Sequence, residues 1–346
     1  MGVQCDAMRT LITLAVVAAC SFLSLAGSLK VSLPPALGAV PIVMGDVWGL
    51  LGEEGVEIEM IPLPSQRDRI LAFQAGQVDV MVSDLTSALL LVESVPREAA
   101  ILAVAYAPPP DADHLAVLTP AAFSRIRTWE DLLTLLQEGQ RLQIALPRQS
   151  DLEFVMDTVF AAEGVVVRPD LYIGQDNLLT NASWLLLGMV AVGVLPQPYI
   201  DYIVTYDYPG KPELVALRWI PGELLPPEVI VVRRSLVDRE PKRVAAFLRG
   251  IRRAVGRLNE SSRDEIVSDA LPVAVDLFFP GGGPETADPE VRVQIEAGIA
   301  AIAIPAFSEP GPLDREIYDR VMTWAVGKKY LRRPLPYTAA VVPAPG

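Results

Sequence analysis

The residues able to do chemistry in this chain are hydroxyls, amides and a few charges, each placed where a strand-like run gives way to a helical one. Ser65 and Gln66 open the helical stretch 66–75, and Ser83 and Asp84 follow the apolar run 78–82. Arg148, Gln149 and Ser150 follow the run 142–146, and Gln197 stands between Pro196 and Pro198. Serine and aspartate at such junctions accept hydrogen bonds from the free amides of a helix start, and the same amides bind the acceptors of a ligand. Arg148 adds a cation beside one of these starts, suited to a carboxylate, sulfonate or phosphate. Trp48, Tyr106 and Tyr199 have the surface to stack on a ring, the commoner use of such side chains being core packing. All of this is recognition chemistry.

The sets that catalysis would need are missing from the sequence. His114 is the only histidine, so there is no His pair and no HExxH zinc motif, and no Gly-x-Ser-x-Gly is present to seat a triad serine. His114 follows Pro108-Pro109-Pro110 and is expected at the surface or at a hinge. The acids are numerous, but no spacing marks two of them as a glycosidase pair. Gly281-Gly282-Gly283-Pro284 has no Lys-Ser/Thr behind it and reads as a loop rather than a phosphate cradle. These absences imply neither a metal nor an organic cofactor.

The elements that position the candidates alternate in type. Strands are expected at 30–33, 56–61, 78–82 and 100–105, separated by helices at 39–51, 66–75 and from Asp84 onward. After the triple proline the pattern resumes: helix 129–138, strand 142–146, helix 151–163, strand 171–174, helix 178–187 and strand 190–194. The proline-rich stretch 209–227 reads as a return crossover to a strand at 229–233. Helices at 241–258, 263–270, 289–300 and 314–326 complete the chain. Such alternation predicts mostly parallel sheets covered by helices.

A length of 346 residues predicts two units rather than one, and 51% apolar content supplies their cores. The formal net charge of −13 excludes a nucleic-acid partner, which would need dense Lys and Arg on one face. Met8-Arg9 before the apolar run 11–19 has the form of an export leader, better formed from Met8 than from Met1. Val17-Ala18-Ala19-Cys20 is similar to a lipobox, with Cys20 as the lipidated residue, while Ser24-Leu25-Ala26 offers a competing cleavage site. Both cysteines, Cys5 and Cys20, fall in this leader, so the body has no thiol or disulfide.

The stretch Ile70 to Asp84, with Gly76-Gln77-Val78-Asp79 at its centre, resembles a signature of the substrate-binding proteins of ABC importers. The resembling group is the sulfonate, nitrate and thiamine-precursor type. Leu186 to Tyr199 echoes the pattern, with Gln197 where that group usually has an acid, and Gln143 to Ser150 echoes its second-lobe strand and loop. The resemblance implies an α/β fold of two Rossmann-like lobes with a ligand cleft between them, the type II periplasmic-binding fold. It implies a leader at 1–27, a discontinuous first lobe at 28–107 and 228–346, and a second lobe at 108–227. It further implies a monomer outside the cytoplasm, free or lipid-anchored, that captures a small polar or anionic molecule for an ABC permease. Its ligand contacts would be Ser65, Gln66, Ser83, Asp84, Arg148, Gln149, Ser150 and Gln197. Rival readings are a same-fold enzyme, such as a dehydratase of menaquinone synthesis, and a ligand-sensing module. The thiamine-pyrimidine synthases are excluded by the single histidine and the cysteine-free body.

Overall fold

Apolar runs become strands wherever their alternation matches a sheet, and helices cover them. The computed structural model describes residues 27–207, 210–280 and 289–346. The leader with Cys20 and the glycine run 281–283 lie outside them. β1 (Leu29–Leu33) leads through α1 (Val40–Val47) and α2 (Leu50–Glu53) to β2 (Ile58–Pro62). Then come α3 (Gln66–Gln74), β3 (Val80–Ser83), α4 (Leu85–Ser94) and β4 (Ala99–Tyr106). The chain crosses to a second sheet as β5 (Asp113–Pro120), α5 (Trp129–Gln137), β6 (Ile144–Ala145) and α6 (Asp151–Ala162). There it continues through β7 (Tyr172–Ile173), α7 (Leu178–Leu186), β8 (Val192–Pro196), α8 (Tyr199–Thr205) and β9 (Leu214–Pro221). It returns as β10 (Glu228–Arg233), followed by α9 (Arg234–Arg239), α10 (Pro241–Glu260) and α11 (Arg263–Phe278). The last elements are α12 (Pro289–Ala300), α13 (Arg315–Gly327) and α14 (Tyr337–Ala340).

Each sheet has five strands, in the orders β2-β1-β3-β10-β4 and β7-β6-β8-β5-β9. The sheets are mostly parallel, as expected, each with one strand reversed. β1 runs parallel to β2 and β3, and β6 parallel to β7 and β8, but β10 is antiparallel to β3 and β4. β5 is likewise antiparallel to β8 and β9. The strands that carry the chain between sheets are the antiparallel ones, because each enters its sheet from the crossover side. The stretch expected to be only a crossover therefore holds β9.

Two helices also depart from expectation. The helix expected at 39–51 is broken by Gly49, whose φ of 70° closes α1 in a left-handed turn before α2 begins. The helix expected to stop near Ala270 runs through Pro272 to Phe278. Packing of its apolar face on α1 and α12 outweighs the one hydrogen bond that proline removes.

The core divides into two apolar clusters that both span residues of the two sheets. α13 packs against α4 on one side and α6 on the other, so the C-terminal helix joins the two units. Among the described residues, no helix is long and apolar enough to cross a membrane. Phe160 on α6 is fully buried, its ring stacked on Trp129 at 5.6 Å between centroids. Phe160→Ala is expected to cost about 3–5 kcal/mol, the range for emptying an aromatic site in a core. Urea unfolding monitored by circular dichroism checks it.

Candidate functional site

Strand ends of both sheets face one cleft of about 480 Å³, inside the about 300–1,000 Å³ usual for small-molecule sites. Pro34 and Ala36 follow β1, Pro64 and Gln66 follow β2, and Ser83 and Asp84 end β3. Tyr106 and Pro108 come from the end of β4. The second sheet contributes Pro147 to Ser150 after β6, Asp176 after β7, and Pro196 and Gln197 at the end of β8. Pro34, Pro64, Pro108, Pro147, Pro196 and Pro226 all stand in the wall.

The structure brings seven of the eight expected residues together here: Gln66, Ser83, Asp84, Arg148, Gln149, Ser150 and Gln197. Ser65 is not in the wall. It caps α3, its hydroxyl accepting from the Asp68 amide at 3.3 Å. The Gln66 amide donates to the buried Ser83 hydroxyl at 2.8 Å, and that hydroxyl donates to the Asp84 carbonyl at 2.9 Å. Asp84 caps α4, accepting from the Ser87 amide at 3.0 Å. Ser150 caps α6 and donates to the Pro147 carbonyl at 2.6 Å. Gln197 donates to Asp201 at 2.9 Å, and its backbone amide donates to the His114 carbonyl at 2.8 Å.

Arg148 is exposed and donates to the Tyr330 hydroxyl at 3.2 Å. Gln149 sits at φ 60°, a left-handed conformation for a residue with a side chain. Its amide donates to Glu153 Oε2 at 2.7 Å, which holds the turn in place. Glu153 is fully buried and also receives the Tyr330 hydroxyl and Lys328 Nζ, each at 2.8 Å.

Three further charged residues of the wall are withdrawn from solvent: Arg69, Asp151 and Glu228. Arg69 on α3 is only 5% exposed. One terminal nitrogen donates to the carbonyls of Leu63 at 2.6 Å and Pro64 at 3.1 Å, the other to Gln66, and Nε has no partner. The run Gln66-Arg67-Asp68-Arg69 reads as a solvated helix face, so nothing local marked this arginine as buried. Asp151 is the first residue of α6, yet its carboxylate reaches the other sheet's helix. It accepts from the Leu85 amide at 2.9 Å, the Thr86 amide at 2.8 Å and the Thr86 hydroxyl at 2.6 Å. Glu228 at the start of β10 accepts the Gly38 amide at 2.8 Å. A Cβ on Gly38 would lie 2.0 Å from that carboxylate oxygen, so a side chain there would displace the Glu228 carboxylate.

His114 requires a correction. It lies in β5, 7% exposed, in the cleft wall and 5.7 Å from the Tyr106 ring, not at the surface. Burial lowers its pKa to about 4, so the ring is neutral at physiological pH. Of the three aromatics weighed from sequence, Tyr106 and Tyr199 line the cleft. Trp48 does not; it donates to Asp269 at 2.8 Å beneath the Arg257 guanidinium.

Burial dominates the electrostatics. It pushes the Glu228 carboxyl up to about 7 and lowers Arg69 to about 10, the latter against the pull of Tyr199, Asp84 and Glu228. It also raises Asp84 and Asp151, and the neighbouring Asp84 charge raises Asp151 further. A carboxyl whose folded value lies above its unfolded one adds stability below the unfolded value and loses it as pH rises through the folded one. For Glu228 the window runs from about 4.5 to about 7. Urea unfolding at about pH 5 and pH 8 should therefore show the wild type losing stability relative to Glu228→Gln, by on the order of 1–3 kcal/mol.

No protein-family model and no curated protein matches the chain. Solved structures do. The alkanesulfonate-binding protein SsuA from Xanthomonas axonopodis pv. citri, bound to MOPS, has a TM-score of 0.67 at 16% identity, covering 92% of this chain and 98% of its own. The periplasmic aliphatic sulphonate binding protein SsuA from Escherichia coli has a TM-score of 0.66 at 12% identity, covering 91% and 97%. DszB in complex with biphenyl-2-sulfinic acid has a TM-score of 0.58 at 12% identity, covering 91% and 96%. What is shared at these identities is the architecture: this chain has the two-lobed α/β fold of the periplasmic binding proteins of ABC-type import.

Proposed function

We propose that the protein captures a small molecule in the cleft, outside the cytoplasm, and delivers it to an ABC-type importer without converting it. The observation that carries this reading is a cleft of ligand size whose two walls come from different sheets and whose depth holds buried polar groups without partners, Arg69 Nε and the Tyr106 hydroxyl. The fold shared with import binding proteins supports it. In this reading the lobes are 28–107 with 228–346, and 108–227, and they close on the ligand about the two crossovers. Gln66, Ser83, Asp84, Arg148, Gln149, Ser150 and Gln197 are ligand contacts, joined by Arg69, Tyr106 and Glu228, and the working unit is a monomer.

A non-catalytic role is supported by how the acids are used. Asp151 is engaged by three donors of α4, and Asp84 caps that same helix, so neither stands ready to move a proton. Export is supported by the leader and by a body without cysteine. A thermal-shift panel of sulfonates, nitrate, pyrimidines, short carboxylates, aromatic acids and organic amines is expected to give stabilisation by one small class, with mass spectrometry finding every compound unchanged. Conversion of any of them would overturn the capture reading. Radioactive fatty acid fed to expressing cells is expected to label the wild type and not Cys20→Ala; equal labelling would remove the anchor.

A further inference from the structure

The deep part of the cleft holds more carboxyls than cationic groups. Arg69 is the only buried cation among the described residues, since Arg67 and Arg148 are exposed and Arg148 is engaged by Tyr330. Of the acids in the wall, Asp151 has both oxygens on the first turn of α4. Asp84 and Glu228 are partly buried, face the cavity and both interact electrostatically with Arg69. Two carboxyls thus share one guanidinium, and burial disfavours the charged form of both. In a site of low dielectric an anionic ligand would disfavour those charged forms further, whereas a cationic nitrogen would stabilise them.

The second observation is independent of charge. Arg69 Nε and the Tyr106 hydroxyl are buried, line the same cavity and have no hydrogen-bond partner. Unpaired buried donors cost free energy that an acceptor on a ligand restores. The acid side is equally built for contact, because Gly38 lets its backbone approach Glu228 and fix that carboxylate. Leu90, Leu152, Leu178 and Leu225 make much of the remaining wall apolar.

From this we infer, resting on the capture reading, that the ligand carries a positively charged nitrogen seated at Asp84 and Glu228. It also carries a hydrogen-bond acceptor at Arg69 Nε and the Tyr106 hydroxyl, joined to the nitrogen by an apolar body. The ligand class is an amine or amidine that is zwitterionic or cationic, not a simple anion. This differs from the oxyanion that Arg148 alone suggested.

The test uses the whole protein and probes that differ only in their ends: 4-(aminomethyl)benzoate, benzylamine and benzoate, then 6-aminohexanoate, hexylamine and hexanoate, with butanesulfonate as a further anion. Thermal shift and titration calorimetry are expected to rank each amine-bearing probe at least tenfold tighter than the amine-free member of its set. Glu228→Gln keeps an acceptor for the Gly38 amide and Asp84→Asn keeps a helix cap, so each removes charge with little change of shape. Each is expected to weaken the amine probes at least tenfold while circular dichroism stays native. Equal or tighter binding of benzoate, hexanoate or butanesulfonate would overturn the inference and leave capture standing. Unchanged amine affinity in both variants would do the same. Absence of stabilisation by every probe would count against both.

Discussion

Asp151 begins α6, yet its carboxylate serves α4 on the other sheet, where two backbone amides and the Thr86 hydroxyl meet it. A carboxylate buried that deeply survives only with its acceptor sites filled, and a helix start survives only with its free amides filled. Each half supplies what the other lacks. This contact brings Gln149 and Ser150 opposite Ser83 and Asp84, so the two sheets share one cavity. α13 reinforces it from outside. Trp324 and Lys328 hold Asp157, and Lys328 and Tyr330 hold Glu153, behind the loop that lines the second wall. α13 and the turn after it thus act on the cleft although none of their residues lines it.

Capping shapes what the site can recognise. Ser65, Asp84 and Ser150 each occupy amides of their own helices, and Asp151 occupies those of its neighbour. The helix starts around the cleft are therefore largely satisfied before a ligand arrives. In the proposed capture role, recognition would fall to side chains: the Arg69 guanidinium, the Glu228 carboxylate, the Tyr106 hydroxyl and the amides of Gln66 and Gln197.

Much of this was legible in the sequence, and the boundary is physical. Strand and helix periods are local, so β1, β3, α3, α6 and β10 were expected close to where they lie. Helix caps are also local, so Asp84 and Ser150 were expected at helix starts, while Ser83 and Gln197 were placed by the strand ends and the family resemblance. Strand direction is not local: β5 and β9 lack a strong pattern, and their antiparallel pairing depends on where the chain crosses. The buried charges were illegible for the same reason. Asp151 meets Leu85 across 66 residues of sequence, and Glu228 meets Gly38 across 190. Read alone, each is an ordinary acid at an element's edge, and Arg69 an ordinary surface arginine.

The six prolines of the wall have a consequence for the entropy of capture. A proline ring fixes φ, so the loops that carry them sample few conformations even when the cleft is open. Most of the ordering that a flexible rim would undergo upon binding has here already taken place during folding. For the proposed capture, the affinity lost to freezing loops would be correspondingly small. A rim of this kind favours quick discrimination by shape: a molecule that does not match the preformed wall finds no loop able to rearrange around it.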